Sequence, residues 1–276
     1  MLNIGWFSTG RGTGSQGLLN FIQRRILSGR LEAEIQFVFS NREPGEAEGS
    51  DQFFRLVEGY GRPLVTFSSS KFRRQAGGRF ADHREEYDGH VMDLLSGYQP
   101  DICVLAGYML IVGGTMCRRY TLLNLHPALP DGPIGAWQEV VWKLIETRAP
   151  ETGAMVHLAT EEVDRGPVVT YCTVPLTGPL FDPHWHALHQ QDLARIKETE
   201  AEEFPLFKVI RDEEYRREPH LLIETLLAVA QGKLSVSHQQ VLERAGDSGS
   251  WNRSTGLCLD QEIERSMAAD ADEGAT

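Results

Sequence analysis

The residues best suited to chemistry in this sequence are an asparagine and a histidine two positions apart. Asn124 and His126 stand in the run Leu-Leu-Asn-Leu-His-Pro, residues 122–127, whose apolar residues predict a short buried strand that ends at Pro127. Residues two apart on a strand point to the same face, so we expect a carboxamide and an imidazole to project together. A carboxamide can donate a hydrogen bond to a developing oxyanion, and an imidazole can carry a proton.

A carboxylate that could orient this imidazole follows later in the chain. Asp164 lies in the acidic turn Glu-Glu-Val-Asp-Arg-Gly-Pro, residues 161–167. Together, Asn124, His126 and Asp164 would form a set for proton transfer and oxyanion stabilisation. The alternative for each residue alone is a structural or solvated position, because short motifs often match by chance.

A glycine-rich stretch is a second candidate site. It reads Thr-Gly-Arg-Gly-Thr-Gly-Ser-Gln-Gly, residues 9–17, between a predicted strand at 2–8 and a predicted helix at 18–28. Backbone N–H groups at a strand–loop–helix junction can hold a phosphate. A tight turn without a ligand is one alternative. A dinucleotide site is another, although no acidic residue closes the second strand to receive a ribose.

The elements that would position these residues alternate along the chain. Parallel-type strands are predicted at residues 2–8, 34–40, 64–67, 100–107 and 122–126, with helices between several of them. This alternation indicates an α/β fold with a doubly wound, mostly parallel sheet. Strands at 153–158 and 168–174, joined by the acidic turn, predict an antiparallel extension of that sheet.

The remaining segments are predicted from their polarity and apolar spacing. Loops are expected at 68–78, which is basic, and at 180–189, and helices at 192–203, at 219–232 and within 238–246. Residues 1–236 are predicted to form the catalytic domain. Residues 237–276 are predicted to form a partly disordered extension, because the end of the chain is rich in Gly, Ser, Ala, Asp and Glu.

Composition narrows the function classes. The chain has 276 residues, of which 41% are hydrophobic and 24% charged, and its formal net charge is −12. An acidic chain is poorly suited to wrapping nucleic acid. The absence of a long apolar run predicts no membrane span, and the N-terminal residues do not resemble a signal peptide, so a cytoplasmic location is expected. Four widely spaced cysteines fit a reducing compartment.

A histidine-rich stretch raises the alternative of a metal site. His184, Trp185 and His186 are followed closely by His189. No cysteine or carboxylate cluster completes a recognisable ligand set. We therefore predict an aromatic lid loop here, and no metal.

Four stretches occur in the order and spacing of a known enzyme family: residues 100–109 (PDICVLAGYM), 123–130 (LNLHPALP), 153–157 (GAMVH) and 162–168 (EVDRGPV). With weaker matches at 12–15 and 39–41, the chain resembles the folate-dependent formyltransferases over about residues 1–236. The similarity is greatest to their phosphoribosylglycinamide formyltransferase branch. It implies a Rossmann-like formyltransferase fold and 10-formyltetrahydrofolate as the co-substrate.

The resemblance implies roles for individual residues. Asn124, His126 and Asp164 match the family's catalytic asparagine, histidine and aspartate. The residues implied to bind the folate are Met109, Leu110, Ile111, Arg84, Glu161 and Val163. Those implied to hold the phosphate of a ribotide are Gly12, Thr13, Gly14 and Ser15. Glu218, or alternatively Glu200, would receive the substrate amine.

The implied function is formyl transfer to an amine, with glycinamide ribonucleotide in purine biosynthesis as the favoured acceptor. Open alternatives are a formyltetrahydrofolate hydrolase, a formyltransferase acting on an amino sugar nucleotide, and a non-catalytic folate- or nucleotide-binding protein. Two departures concern the site: Leu110 replaces an arginine usual in the branch, and residues 131–137 form a shorter acceptor loop. The expected partners are small molecules, and a homodimer stays open.

Overall fold

The structure, a computed structural model, describes residues 1–188, 192–237, 240–245 and 249–274, and the chain divides into two units. The first unit comprises Met1–Leu125, His157–Pro167 and Leu226–Thr255. The second comprises His126–Val156, Val168–Thr225 and Gly256–Thr276.

Strands and helices alternate through the first half of the chain. The strands are β1 (Leu2–Phe7), β2 (Ala33–Ser40), β3 (Leu64–Thr66), β4 (Ile102–Leu105), β5 (Leu122–His126), β6 (Glu151–Leu158), β7 (Val168–Pro175), β8 (Leu234–Ser237), β9 (Gln240–Arg244), β10 (Trp251–Arg253) and β11 (Leu257–Cys258). The α-helices are α1 (Thr13–Leu27), α2 (Glu48–Gly59), α3 (Ser69–Ala76), α4 (Arg84–Leu94), α5 (Gly114–Arg119), α6 (Trp137–Thr147), α7 (Asp182–Leu188), α8 (Leu193–Thr199), α9 (Pro205–Ala230) and α10 (Asp260–Gly274).

The first unit is built on a parallel sheet in the strand order β3-β2-β1-β4-β5. Strands β1, β2 and β4 are mostly apolar and buried, as expected for a sheet covered on both faces. An aromatic cluster including Phe7, Phe37, Phe39, Tyr87 and Tyr108 packs against them. The strand order reverses between β1 and β4, so the carboxyl ends of these strands mark the point where doubly wound sheets bind ligands. The predicted α/β class is confirmed.

The second unit contains most of β6 and β7, together with β11 and several helices. The Leu176 N–H donates to the Pro150 carbonyl at 2.9 Å. At the opposite end of the two strands, in the first unit, the Leu158 N–H donates to the Pro167 carbonyl at 2.9 Å. This pairing is antiparallel, as predicted. β11 then pairs in parallel with β7.

Two predicted loops are helical instead. Residues 68–78 contain α3, because Ser68 caps the helix by accepting the Lys71 N–H at 3.1 Å, and Phe72 is buried. Residues 180–188 contain α7, where the Trp185 indole donates to the Leu176 carbonyl at 2.7 Å. The basic residues around Phe72 and the histidines around Trp185 made both stretches resemble solvent-exposed loops.

The histidine-rich stretch is therefore partly helical. His184 and His186 lie on α7, whereas His189 lies outside the described residues. Within the described ranges, no group of three or more His, Cys, Asp or Glu is placed to hold a metal ion.

Two further predictions in the second half of the chain were wrong. The helix predicted to start at Pro219 is part of the single helix α9, which continues through this proline. An internal proline costs about 3 kcal/mol, and buried residues on both sides, such as Phe207 and Leu222, hold the helix together. The helix predicted within 238–246 is instead strand β9, which pairs antiparallel with β8. Residues 238, 239 and 246 lie outside the described part.

The proposed extension from residue 237 contains regular elements where it is described. β9 and β10 join β8 in a three-stranded antiparallel sheet. Asp260, at the start of α10, accepts the Thr173 N–H at 2.7 Å and its hydroxyl at 2.6 Å. The boundary at residue 236 stays a prediction. In the described part of the chain, no helix combines the length and apolarity needed to cross a membrane.

Candidate active site

The ends of β1 and β4 meet in the first unit at the reversal of strand order. The Thr9 N–H donates to the Gly107 carbonyl at 3.0 Å, and the Met109 N–H donates to the Thr9 hydroxyl oxygen at 2.9 Å. The Thr9 hydroxyl donates to Asn41 Oδ1 at 2.8 Å. Thr9 and Asn41 are both buried, so these bonds fix the loops at the carboxyl ends of β1 and β4. This region, called the mouth of the sheet below, is where a ligand is expected.

The predicted phosphate-binding residues lie at this mouth. Gly12 is the N-cap of α1, and Thr13, Gly14 and Ser15 form its first turn, which contains no acidic residue. The N-terminus of a helix offers backbone N–H groups and the positive end of its dipole, which suits an anion. Gly107 contacts this turn, because a Cβ atom at this positive-φ residue would collide with the Ser15 hydroxyl.

Asn124 and Asp164 come together at the end of β5. Asn124 Nδ2 donates to Asp164 Oδ1 at 3.3 Å and lies 3.1 Å from His157 Nε2. His157 Nδ1 lies 3.0 Å from the Leu158 carbonyl, which can only accept, so Nδ1 carries a proton. In the neutral imidazole, Nε2 can then accept from Asn124. The carboxamide therefore directs its N–H groups at acceptors.

Asp164 has an unusual backbone conformation for a residue with a side chain. Its φ of 55° lies in the left-handed region, which aspartate tolerates better than most residues. Asp164 Oδ1 also lies 3.6 Å from His157 Nε2. Strained residues of this kind are concentrated at functional sites.

His126 lies in the second unit, at the last position of β5. It is buried, and its Nε2 lies 3.0 Å from the Pro133 carbonyl. Because a carbonyl only accepts, Nε2 donates this bond and carries a proton. The loop of residues 131–137 thus fixes the orientation of the imidazole.

A cavity of about 290 Å³ in the first unit brings together two predicted folate-binding residues. Arg84, at the start of α4, and Glu161, in the acidic turn, both line it together with residues 112–114. Glu161 pairs with Arg118. Among the described residues, Arg84 Nε is buried without a hydrogen-bond partner. The cavity therefore offers a cation and a carboxylate to a polar ligand.

Two acidic residues of α4 shape this cavity. Asp88 accepts the Gly113 N–H at 2.6 Å, and Glu85 accepts the Thr115 N–H at 3.4 Å. Burial raises the pKa of Asp88 to about 6, although the Gly113 hydrogen bond opposes this shift. These bonds fix the segment that leads into α5.

The apolar residues predicted to bind the folate are largely exposed. Met109 is 64% exposed, Ile111 45% and Val163 43%, whereas Leu110 is partly buried against the aromatic cluster.

Glu218 lies in the second unit on α9 and is buried. Its carboxylate pairs with Arg211. Glu200, the alternative residue for the substrate amine, is exposed and lines a separate cavity of about 160 Å³ with His184.

Several site residues were missed in the sequence. The most informative are Thr9, Asn41, Gly107, His157 and Arg211. His157 stands at the end of an apolar strand, as Asn124 does, and this shared position was the available signal. Arg211 lies in a run of charged residues that resembles an exposed helix face, and no local pattern marks it as buried.

Comparison with known proteins places the chain in an enzyme family. The family model described as formyl transferase matches residues 7–178, which is more than half of the chain. A phosphoribosylglycinamide formyltransferase from Escherichia coli is 29% identical over 177 residues, covering 63% of this chain and 74% of that protein. One from Haemophilus influenzae is 28% identical over 235 residues, covering 84% and 95%.

Solved structures show the same fold. The phosphoribosylglycinamide formyltransferase of Coxiella burnetii matches with a TM-score of 0.63 at 20% identity, covering 93% of this chain and 98% of that chain. A formyltetrahydrofolate deformylase from Pseudomonas syringae matches with a TM-score of 0.60 at 19% identity, covering 88% and 65%. The extent of the family match shows that the chain belongs to the formyl transferase family of enzymes.

Proposed function

We propose that this enzyme transfers the formyl group of 10-formyltetrahydrofolate to the amine of glycinamide ribonucleotide. The observation that carries the proposal is the hydrogen bond between Asn124 and Asp164, two residues expected from the sequence to act together. Two matched relatives are named for this activity, and the similarity to this chain extends over most of the length of each. The product supplies purine biosynthesis.

The reaction forms one carbon–nitrogen bond and breaks another. The lone pair of the acceptor amine attacks the formyl carbon, and the carbonyl oxygen becomes an oxyanion. The bond from the formyl carbon to N10 of the folate then breaks, and N10 takes up a proton while the amine nitrogen loses one. The products are a formamide and tetrahydrofolate.

We assign the catalytic roles to three residues. Asn124 would donate to the oxyanion in place of one of its present acceptors, His157 or Asp164. His126 carries the proton, and the Pro133 contact fixes its ring. Asp164 orients the imidazole and the other polar groups that take part in the proton transfer.

The remaining predicted residues divide between donor and acceptor. Arg84 and Glu161, which share a cavity, would bind the folate with Met109, Leu110, Ile111 and Val163. Gly12, Thr13, Gly14 and Ser15 would hold the acceptor phosphate, because they open a helix without acidic residues. Glu218 would receive the acceptor amine.

The test is a steady-state assay of tetrahydrofolate release, with and without glycinamide ribonucleotide. We expect turnover only when the ribonucleotide is present, and loss of turnover in His126→Ala. His184→Ala, on α7, is the matched control and should retain activity. Folate release without the amine would identify a hydrolase instead. Turnover with an amino sugar nucleotide but not with the ribonucleotide would reject the proposed acceptor.

A further inference from the structure

A charged cluster lies on one face of α9 in the second unit. Arg211, Glu214 and Glu218 are spaced by three and four residues, which places them together along the helix. Arg211 Nη1 donates to Glu218 Oε1 and lies 3.7 Å from Glu214 Oε2. One guanidinium thus lies between two carboxyl groups.

Glu214 is the most buried member of the cluster. Its side chain has no exposure to solvent, and the Thr152 hydroxyl donates to its Oε1 at 2.8 Å. Among the described residues, Oε2 has no hydrogen-bond partner. Burial raises the pKa of Glu214 to about 8, against the opposing effects of Thr152 and Arg211. Burial therefore favours the uncharged form of Glu214 at neutral pH.

Arg211 is held by aromatic rings as well as by charge. Its guanidinium lies 5.1 Å from the ring centre of Trp137 and 5.3 Å from that of Tyr215. Burial lowers the pKa of Arg211, but the charge and the hydrogen bond of Glu218 raise it, and the net shift is upward. With Glu214 uncharged, Glu218 is the carboxylate that pairs with the cation of Arg211.

The pairing of Glu218 with Arg211 affects the protonation of an acceptor amine bound at Glu218. A free α-amino group has a pKa of about 8, so it is mostly an ammonium at pH 7. An ammonium has no lone pair and cannot attack. A carboxylate without a counterion would stabilise the ammonium over the neutral amine and so raise the pKa of the amine. A carboxylate already paired with a cation can accept a hydrogen bond from the amine without favouring the ammonium.

We propose that Arg211, by pairing with Glu218, keeps the acceptor amine bound at Glu218 in its neutral, nucleophilic form. Glu214 stays uncharged and therefore does not compete with Glu218 for the ion pair with Arg211. This inference rests on the proposed function, in which Glu218 receives the amine. Arg211 and Glu214 are positioning residues, because they act through Glu218. The charged side chains facing Glu214 are Arg211 and Glu218, and β6 contributes the neutral Thr152.

The test is proton release when glycinamide ribonucleotide binds the full-length enzyme. Titration calorimetry at pH 7 in two buffers of different ionisation enthalpy measures this release. The wild-type enzyme should release close to one proton for each acceptor bound, since most free acceptor is protonated. Binding without proton release would overturn the proposal, and this measurement needs no variant.

Two variants separate charge from structure. Arg211→Gln should abolish most of the release and move the acid limb of kcat, measured at saturating acceptor, to higher pH by about one unit. Arg211→Lys keeps the charge and should restore both. The KM for 10-formyltetrahydrofolate should not change in either. Release that persists in Arg211→Gln, or a loss of activity equal at every pH, would overturn the role of Arg211. Absence of formylation in the wild-type enzyme would instead reject the proposed function.

Discussion

Replacing Glu214 by glutamine should change how stability depends on pH. The folded-state pKa of Glu214 is about 8, raised by burial from 4.5. Because the folded state holds the proton more tightly, Glu214 costs stability as pH rises above 4.5, and this cost levels off near pH 8. Each pH unit in that window costs about 1.4 kcal/mol. Between pH 5 and pH 7.5 the wild-type protein should therefore lose about 3 kcal/mol relative to Glu214→Gln.

Urea unfolding at several pH values between 5 and 8 measures this difference. The free energies of unfolding of the two proteins should diverge steadily with pH, whatever their offset at pH 5. Glu202→Gln, which changes an exposed glutamate, is the matched control and should run parallel to the wild type. A constant difference between wild type and Glu214→Gln across the range would refute the assignment of a protonated, buried carboxyl group.

Three other substitutions test the site and its supports. Asn124→Ala should lower kcat by about 100-fold to 1,000-fold, with little change in substrate KM, because it removes an oxyanion donor; a change confined to KM would contradict this role. Gly107→Ala should destabilise the protein by at least about 1 kcal/mol, because φ is +68° and the new methyl group meets a serine of the glycine-rich loop. Gly97→Ala, with open space around it, is the control, and equal effects of the two on urea unfolding would argue against this reasoning. Asp260→Ala should cost about 1–3 kcal/mol, because it leaves the partly buried N–H and the hydroxyl of Thr173 without an acceptor. An unchanged urea midpoint would show that α10 is held by other contacts.

The first half of the fold could be predicted because each strand carries its own signal. β4 and β5 are apolar runs bounded by turn residues, and the glycine-rich stretch lies between β1 and α1. The spacing of Asn124 and His126 on one strand supplies the candidate pair, whose catalytic role stays a prediction. In such segments the local pattern and the tertiary environment agree, so sequence alone is sufficient.

The second half depends on contacts that are distant in sequence. α7 exists because Trp185 reaches the Leu176 carbonyl, and α9 passes through Pro219 because buried residues hold both sides. The charged cluster around Arg211 resembles a solvated helix face until Thr152 and Trp137 are placed against it. Contacts of this kind join residues that are far apart in the sequence, so the spacing of residues along the chain does not predict them.

The most direct test of the central claim follows the transferred carbon itself. The full-length enzyme would be incubated with glycinamide ribonucleotide and 10-formyltetrahydrofolate whose formyl carbon carries a heavy isotope, and the products would be identified by mass spectrometry. We predict that the label appears in the formamide of the ribonucleotide, in amounts equal to the tetrahydrofolate released. Label recovered only as formate, with the ribonucleotide unchanged, would contradict the proposed transfer.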